Sequence, residues 1–170
     1  LNGGITSSDM LISAELHGKK ITDPFLGRAG YLATPSPRGY NGDTFDGFVS
    51  DTQFSVDRGF YEEPFDLEIT SSTEGAKIRY TLDGTAPSPT DGLVYEGLIS
   101  VDKTTVVRAI AYMPGARPTN IDTQTYIFPE DVVDQPRMRN SVTQSNSLGP
   151  QMIDSLKSVP TISIVTDNPS

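Results

Sequence analysis

Hydrophobic and polar residues alternate along the middle of the chain. In "PFDLEIT", Phe65, Leu67 and Ile69 fall on one side, and charged or hydroxyl residues fall on the other. "AKIRYTL" repeats this two-residue period after a polar turn, and apolar runs recur at "LVYEGLISV", "TTVVRAIAYM" and "TQTYIF". Because this period places alternate side chains on opposite faces of a strand, residues 51–129 are predicted to form at least five strands. The spacing is typical of an antiparallel sandwich of the immunoglobulin or fibronectin-III type, so the predicted fold class is all-β.

The run "VVRAIAYM" predicts which face of one central strand is buried. Its small apolar face, which we expect to lie in the core, consists of Val107, Ala109, Ala111 and Met113. The opposite face carries Arg108 and Tyr112. This strand is therefore predicted to present a polar and aromatic face away from the core.

The segment "RYTLDGTAP" predicts a corner of the sandwich. We expect Tyr80 and Leu82 to reach the core, because both fall on the apolar side of the alternation. Asp83-Gly84 is a hairpin turn signal, since Gly84 can adopt a positive φ and the Asp83 side chain can bond to the backbone nearby. The sequence therefore predicts a hairpin turn at this dipeptide.

The two ends of the chain differ from the middle. Residues 1–50 alternate weakly and then become dense in Pro and Gly, which predicts an extended arm or the end of a preceding domain. Residues 130–170 begin as a polar linker, continue with a short helix at "GPQMIDSLKSV", and close with the strand-like "TISIV", which has no visible partner. The predicted organisation is thus 1–50, 51–129 and 130–170, within a fragment of a longer polypeptide.

Charge and composition narrow the function classes. The chain has 13 basic and 22 acidic residues, a net charge of −9, and its basic residues are scattered singly. Nucleic-acid binding is disfavoured, because it depends on clustered cations that neutralise phosphates. Cysteine is absent, which excludes disulfides and thiolate metal sites. No apolar run approaches the roughly 18 residues of a membrane-spanning helix, so no span is predicted.

An ordered set of motifs runs through residues 75–128. It begins with the strand and turn "IRYTLDGTAP", continues through Tyr95 and the strand "TTVVRAIA", and ends with Thr125 and Tyr126. This combination resembles the chitobiase/β-hexosaminidase C-terminal-like domain, also called the fibronectin-III-associated domain. The resemblance implies a β-sandwich module without a catalytic role of its own, which accompanies carbohydrate-active or adhesive domains.

The flanks resemble two further families. "GYLATPSPRGYNG", residues 30–42, is similar to the end of a bacterial lamin-tail-like domain, and "SLKSVPTISIVTD", residues 155–167, is similar to the start of a CotH-like spore-coat kinase domain. None of that kinase's nucleotide-binding or catalytic residues falls within the chain, so its activity is not carried over. These resemblances imply a module in an exported or cell-surface bacterial protein, with the neighbouring domains of the same polypeptide as its partners.

Catalytic constellations are weak in this sequence. A serine hydrolase needs a histidine in its triad, but the only one, His17, is accompanied by no G-x-S-x-G elbow. A glycosidase needs two carboxylates, and four acids lie close together in sequence, namely Glu62, Glu63, Asp66 and Glu68. With 22 acids in the chain, such proximity is expected by chance. We therefore expect that the chain is not an enzyme.

Two non-catalytic roles remain open beside the spacer role. Tyr112, Tyr61 and Arg108 are the candidate ligand-binding residues of a glycan site, because sugars stack on aromatic rings and bond to planar donors. The unpaired "TISIV" segment is a candidate for self-assembly by strand addition. For Ca²⁺, oxygen ligands are available at Asp83, Thr85 and Asp91, but turn chemistry is the better explanation of these residues, so no cofactor is predicted.

Overall fold

The computed structural model describes residues 21–22, 29–32 and 44–166. Within these residues the chain forms short strands, followed by short helices after residue 128. The strands are β1 (Ile21–Thr22), β2 (Ala29–Leu32), β3 (Thr44–Phe45), β4 (Gly47–Phe48), β5 (Thr52–Phe54), β6 (Gly59–Phe60), β7 (Phe65–Leu67), β8 (Ile69–Ser71), β9 (Lys77–Thr81), β10 (Leu93–Val94), β11 (Ile99–Val101), β12 (Thr105–Tyr112), β13 (Ala116–Arg117) and β14 (Asp122–Ile127). The helices are α1 (Pro129–Val133), α2 (Asn140–Thr143) and α3 (Met152–Ser158), with a 3₁₀ turn at Gly149–Gln151. The predicted all-β sandwich is confirmed.

The larger layer of the sandwich is a five-stranded sheet in the order β10-β9-β12-β14-β6. Strand β12 is its centre, and Ala109 of β12 pairs with Tyr80 on one side and Asp122 on the other. These pairings are antiparallel, whereas β6 runs parallel to β14. The sequence pattern predicted an antiparallel sandwich, and β6 together with the parallel pair β4 and β13 departs from it.

The smaller layer is built on one extended stretch that contains both β7 and β8. Strand β11 pairs with β7, and β5 pairs with β8. The change of partner falls at Glu68, whose N–H donates to the Ser55 hydroxyl and whose carbonyl accepts from the Ser55 N–H, each at 2.9 Å. Glu68 therefore keeps its backbone bonded although it belongs to neither strand. Separately, β1, β2 and β3 form a small antiparallel sheet.

The two layers enclose one hydrophobic core. Its buried members are Val49, Leu67, Ile69, Ile78, Ile99, Val101, Val107, Ala109, Ala111, Ala116, Tyr126 and Phe128. The predicted inner face of β12 is confirmed, since Val107, Ala109 and Ala111 are fully buried and Met113 packs against the core. Val49 shows that the core also recruits a residue from before position 51.

Tyr126 joins the last strand to both layers. Its side chain is fully buried, and its hydroxyl donates to the Val56 carbonyl at 2.8 Å. Its ring meets those of Phe65 and Tyr61 edge to face, at centroid distances of 5.1 and 5.8 Å. Pairs of this geometry contribute about 0.5–1.5 kcal/mol each beyond the area they bury. One residue therefore fixes β14 against the smaller layer and against the segment that precedes β6.

Asp122 joins the layers through polar contacts at the other end of β14. Its carboxylate accepts hydrogen bonds from the N–H and the hydroxyl of Thr52, which is buried at the start of β5, and from the side-chain amide of Asn120. Such charge-assisted bonds are stronger than bonds between neutral groups. Strand β14 is thus held to the rest of the sandwich by the Tyr126 ring at one end and by the Asp122 carboxylate at the other.

The corner at residues 82–92 differs from its prediction. Leu82 was expected in the core but is 39% exposed, because β9 ends at Thr81 and the chain leaves the sheet there. Tyr80 is half-buried against the core, and Gly84 has the expected positive φ of 81°. Strands β9 and β10 form an antiparallel hairpin as predicted, but their connection is a long loop, residues 82–92, in which Asp83-Gly84 is only the first bend.

The C-terminal part was also only partly predicted. The helix expected near residue 150 is confirmed as α3, but the predicted linker contains the short helices α1 and α2. Residues 161–165 form no strand; they run along the sheet, where the Ser163 and Thr125 hydroxyls are hydrogen-bonded at 2.8 Å. Lys157 forms an ion pair with Glu62. The segment after residue 130 therefore returns to pack on the sandwich.

Glycine substitutions should reveal the backbone strain of the corner. Gly84→Ala should destabilise the fold by about 1 kcal/mol, the cost of placing a Cβ in the left-handed region. Gly92→Ala should cost more, because its φ is 98° and the new Cβ would lie 3.0 Å from the Tyr80 carbonyl oxygen. Gly97→Ala is the matched control, since its Cβ would meet nothing within 4 Å. Urea denaturation measures the free energy of unfolding of the three variants. Equal losses of stability in all three would contradict this account.

Stability at high pH should depend on Tyr126. Burial, followed by the nearby charges of Tyr61 and Asp57, raises the pKa of Tyr126 above its ordinary value near 10. Above about pH 10 the folded state therefore holds a proton that the unfolded state releases, and stability falls as pH rises. Tyr126→Phe should cost about 1 kcal/mol at neutral pH by removing the bond to Val56, and should make the alkaline fall shallower.

The matched control for this prediction is Tyr80→Phe. Tyr80 is half-buried, and its hydroxyl has no hydrogen-bond partner among the described residues. The urea midpoints of the unsubstituted chain, Tyr126→Phe and Tyr80→Phe would be measured between about pH 7 and 11, the range in which tyrosine titrates. An alkaline fall in Tyr126→Phe as steep as in the unsubstituted chain would contradict the role given to Tyr126.

Candidate functional site

The outer face of the five-stranded sheet points away from the core. It consists of the residues that alternate with the buried ones on β9, β12, β14 and β6. These are Lys77, Arg79, Thr81, Val106, Arg108, Ile110, Tyr112, Thr123, Thr125, Ile127 and Phe60. The centre of this outer face is also buried, at Thr81, Arg108 and Ile110, so the sheet can present side chains to another molecule only at the margins of the face.

All charged residues of the outer face are basic. Lys77 is exposed and lies opposite Tyr112 across the β9–β12 pair. The guanidinium of Arg79 donates to the Gly92 carbonyl at 2.6 Å, and its Nε is buried without a hydrogen-bond partner. Arg108 is 6% exposed and donates to the Gly84 carbonyl at 3.1 Å. Both arginines therefore hold the loop at residues 82–92 against the sheet.

A groove lies beside this face, over β14 and β6. Its volume is about 630 Å³, within the range of about 300–1,000 Å³ typical of ligand sites. Arg58, Phe60 and the outward residues of β14 line one wall, and residues 161–165 line the other. Hydroxyl groups are prominent in the lining, at Thr123, Thr125, Thr161 and Ser163. The groove thus combines an aromatic ring, a cation and several hydroxyls.

The structure brings two of the three predicted ligand-binding residues onto one face. Tyr112 and Arg108 both lie on the outer face of β12, four residues apart, which corresponds to about 13 Å along a strand. Tyr61 lies elsewhere, packed against Phe65 and Phe128, with its hydroxyl donating to the Asp57 carbonyl. The Tyr61 ring is therefore engaged in core packing.

Sequence reasoning missed the groove. Neither Phe60 nor the alternating hydroxyls of "TQTYI" on β14 are among the ligand-binding residues predicted from the sequence. That alternation was a readable signal, because it places Thr123 and Thr125 on the face opposite the core residue Tyr126. The wall formed by residues 161–165 had no sequence signal, since it depends on how the chain returns to the sheet.

The loop considered for Ca²⁺ is organised by its own hydrogen bonds. The hydroxyl and N–H of Thr85 both donate to the Asp83 carboxylate, at 2.6 and 3.0 Å, and hold the pKa of Asp83 below its ordinary value. Across the described part of the chain, no three His, Cys, Asp or Glu residues are grouped so that they could hold a metal ion. The geometry at Asp83 is that of an Asx turn.

The carboxylates considered for glycosidase chemistry do not share a cleft. Glu62 is paired with Lys157 at the α3 end of the molecule. Asp66 and Glu68 are exposed on the smaller layer, on the side opposite Leu67 and Ile69. His17 lies outside the described residues. Among the described helices, none has the length and apolar character needed to cross a membrane.

Comparison with known protein families found a match within the sandwich. Residues 67–126 match the family model described as Fn3 associated. The match runs from the end of β7 into β14, and it supports the resemblance found in residues 75–128. The family is one of non-catalytic accessory domains within larger proteins. No curated protein matched the chain. The match does not extend over the flanking segments, whose resemblances stay predictions.

Proposed function

We propose that the chain is a non-catalytic accessory module of a larger secreted or cell-surface bacterial protein. In this role the sandwich acts as a spacer and packing surface between neighbouring domains, with a lamin-tail-like domain before it and a CotH-like domain after it. The Fn3-associated match over residues 67–126 carries the proposal, since domains of that family accompany others.

The use of aromatic residues supports a scaffold role. Tyr61, Phe65, Tyr126 and Phe128 form one inward cluster, and Tyr80 meets Tyr95 edge to face at 6.2 Å. The Tyr95 hydroxyl also accepts a hydrogen bond from the N–H of the buried Ile69 at 3.0 Å. Side chains that would serve binding if exposed are thus committed to holding the layers together.

The path of the C-terminal segment supports the packing part of the proposal. Helix α3 packs near α1, and Ile153 of α3 shares a pocket with Phe128 and Pro129 at the end of the sandwich. The ion pair between Lys157 and Glu62 lies beside this contact. The sandwich therefore already serves as a surface on which a following segment packs.

A second candidate function is carbohydrate binding. The groove over β14 and β6 supports it, since it offers the Phe60 ring, the exposed Arg58 and several hydroxyls within a volume suited to a ligand. Sugar rings stack on aromatic faces and are oriented by hydrogen bonds. Tyr112 and Lys77 extend the same kind of chemistry onto β12 and β9.

A third candidate, assembly by strand addition, rests on residues 161–165. Ile162 and Ile164 are 84% and 81% exposed, although Ile162 also borders the groove that Ser163 and Val165 line. An extended segment that turns its isoleucines outward is a template for pairing with another chain. This observation makes the oligomeric state the sharpest test of the spacer role.

Light scattering across a concentration series should give the mass of a monomer throughout, because a spacer packs on the domains of its own polypeptide. The comparison variant is Ile162→Lys with Ile164→Lys, which places charges on the exposed segment and blocks strand pairing. The spacer proposal expects the same mass for both proteins. A mass that grows with concentration in the unsubstituted chain and returns to monomer in the variant would replace the spacer role with assembly.

A further inference from the structure

We propose that the outer face of the sheet binds an anionic polysaccharide whose sugar units carry carboxylates. The chain of sugars would lie over the end of the β9–β12 pair where Lys77 and Tyr112 are accessible, with Lys77 and Arg79 pairing with carboxylates and Tyr112 stacking on a sugar ring. The proposal rests on the second candidate function, carbohydrate binding, and names the ligand class.

The first argument is the separation of charge between the two faces of the sheet. The chain carries a net charge of −9, yet the outward rows of the five strands contain basic and neutral residues and no acidic one. Lys77 and the nearby groove residue Arg58 have no ion-pair partner among the described residues. A basic face on an acidic protein favours an anionic partner, and long-range repulsion from the other surfaces orients that partner toward it.

The second argument is the fixed position of Arg79. One guanidinium nitrogen is held by the Gly92 carbonyl at 2.6 Å, which limits the rotamers of the side chain. Its Nε is buried, so an anion can reach only the outer end of the guanidinium. A guanidinium offers planar paired donors that match a carboxylate, and a side chain that is already ordered loses less entropy on binding. Arg79 is therefore prepared to accept an anion.

The third argument is the arrangement of Tyr112 and Lys77. They are directly opposite in the antiparallel pair, so a ring and an ammonium group share one position on the face. Lys77 and Arg79 lie two residues apart on the same row, at a spacing of about 7 Å. The face thus presents two cations along β9 with a ring directly across from the first, which suits an extended chain with repeating carboxylates.

The hydroxyls beside the cations favour a polysaccharide over an acidic polypeptide. Arg108 of β12, itself buried, pairs across the strands with Thr123, so the cations of β9 and the hydroxyl-lined groove lie on either side of β12 on one face. Hydroxyl groups both donate and accept hydrogen bonds, as sugars require. The carboxylates of an acidic polypeptide would pair with the cations but would make no use of the threonine hydroxyls on β14.

The test measures binding of the full chain to three polymers by isothermal titration calorimetry. Polygalacturonate carries sugar and carboxylate, its fully methyl-esterified form carries the same sugar without charge, and poly-L-glutamate carries carboxylate without sugar. The variant Lys77→Gln with Arg79→Gln should lower the affinity for polygalacturonate about tenfold or more, as the loss of two charge-assisted contacts implies. The matched control is Lys103→Gln with Arg137→Gln, which removes two exposed charges elsewhere.

The variant Tyr112→Leu tests the contribution of stacking on the sugar ring separately from the contribution of the charged groups. It keeps an apolar side chain on the strand, and it should weaken binding to polygalacturonate while leaving any binding to poly-L-glutamate unchanged. Raising the salt from about 50 to 500 mM should weaken polygalacturonate binding in the unsubstituted chain, because the contacts are partly exposed to solvent. Melting temperatures of all variants verify that each is folded.

The possible results are distinct. Binding of polygalacturonate alone, lost in the Lys77 and Arg79 variant and kept in the control, supports the proposal. Equal binding of the methyl-esterified polymer would overturn the anionic class and leave carbohydrate binding standing. Equal binding of poly-L-glutamate, with no effect of Tyr112→Leu, would overturn the polysaccharide as partner. Failure of all three polymers to bind would overturn this inference without touching the spacer role, which depends on the oligomeric state.

Discussion

The burial of Tyr126 is the interaction on which the sandwich depends. The ring fills the space between the two layers, and its hydroxyl reaches the Val56 carbonyl, which precedes the strand that pairs in parallel with β14. A buried hydroxyl without a partner would cost free energy, so the position of Val56 is fixed by the same residue that fills the core. Together with Asp122, which bonds to Thr52 of β5, Tyr126 holds the last strand, β14, to the smaller layer.

Because the core covers one face of the five-stranded sheet, recognition of another molecule falls to the outer face. The inward rows of β12 are small and fully buried, whereas its outward row carries Arg108 and Tyr112. The two arginines serve the fold by holding residues 82–92 against the sheet. Scaffold and binding roles are therefore compatible in one module, because they use opposite faces of the same strands.

Local periodicity accounts for the part of the fold that was predicted from sequence. Alternation at Val107, Ala109 and Ala111 identified the buried face, and glycine chemistry identified the positive φ at Gly84. Features that depend on contacts distant in sequence were missed. Leu82 continues the alternation but lies beyond the end of β9, so it is exposed, and the groove requires residues 161–165 to return to β14. No local sequence pattern predicts that the chain returns to β14.

The central claim, that Tyr126 and its neighbours make the two layers one cooperative unit, is tested most directly by native-state hydrogen exchange. The amides of Ile69 in the smaller layer and of Val107 in the larger layer should exchange only through global unfolding, with the same free energy of opening. Tyr126→Phe should lower both values by the same amount. Exchange of Ile69 at a clearly lower free energy than Val107 would contradict the claim, because the smaller layer would then open while the five-stranded sheet stayed folded.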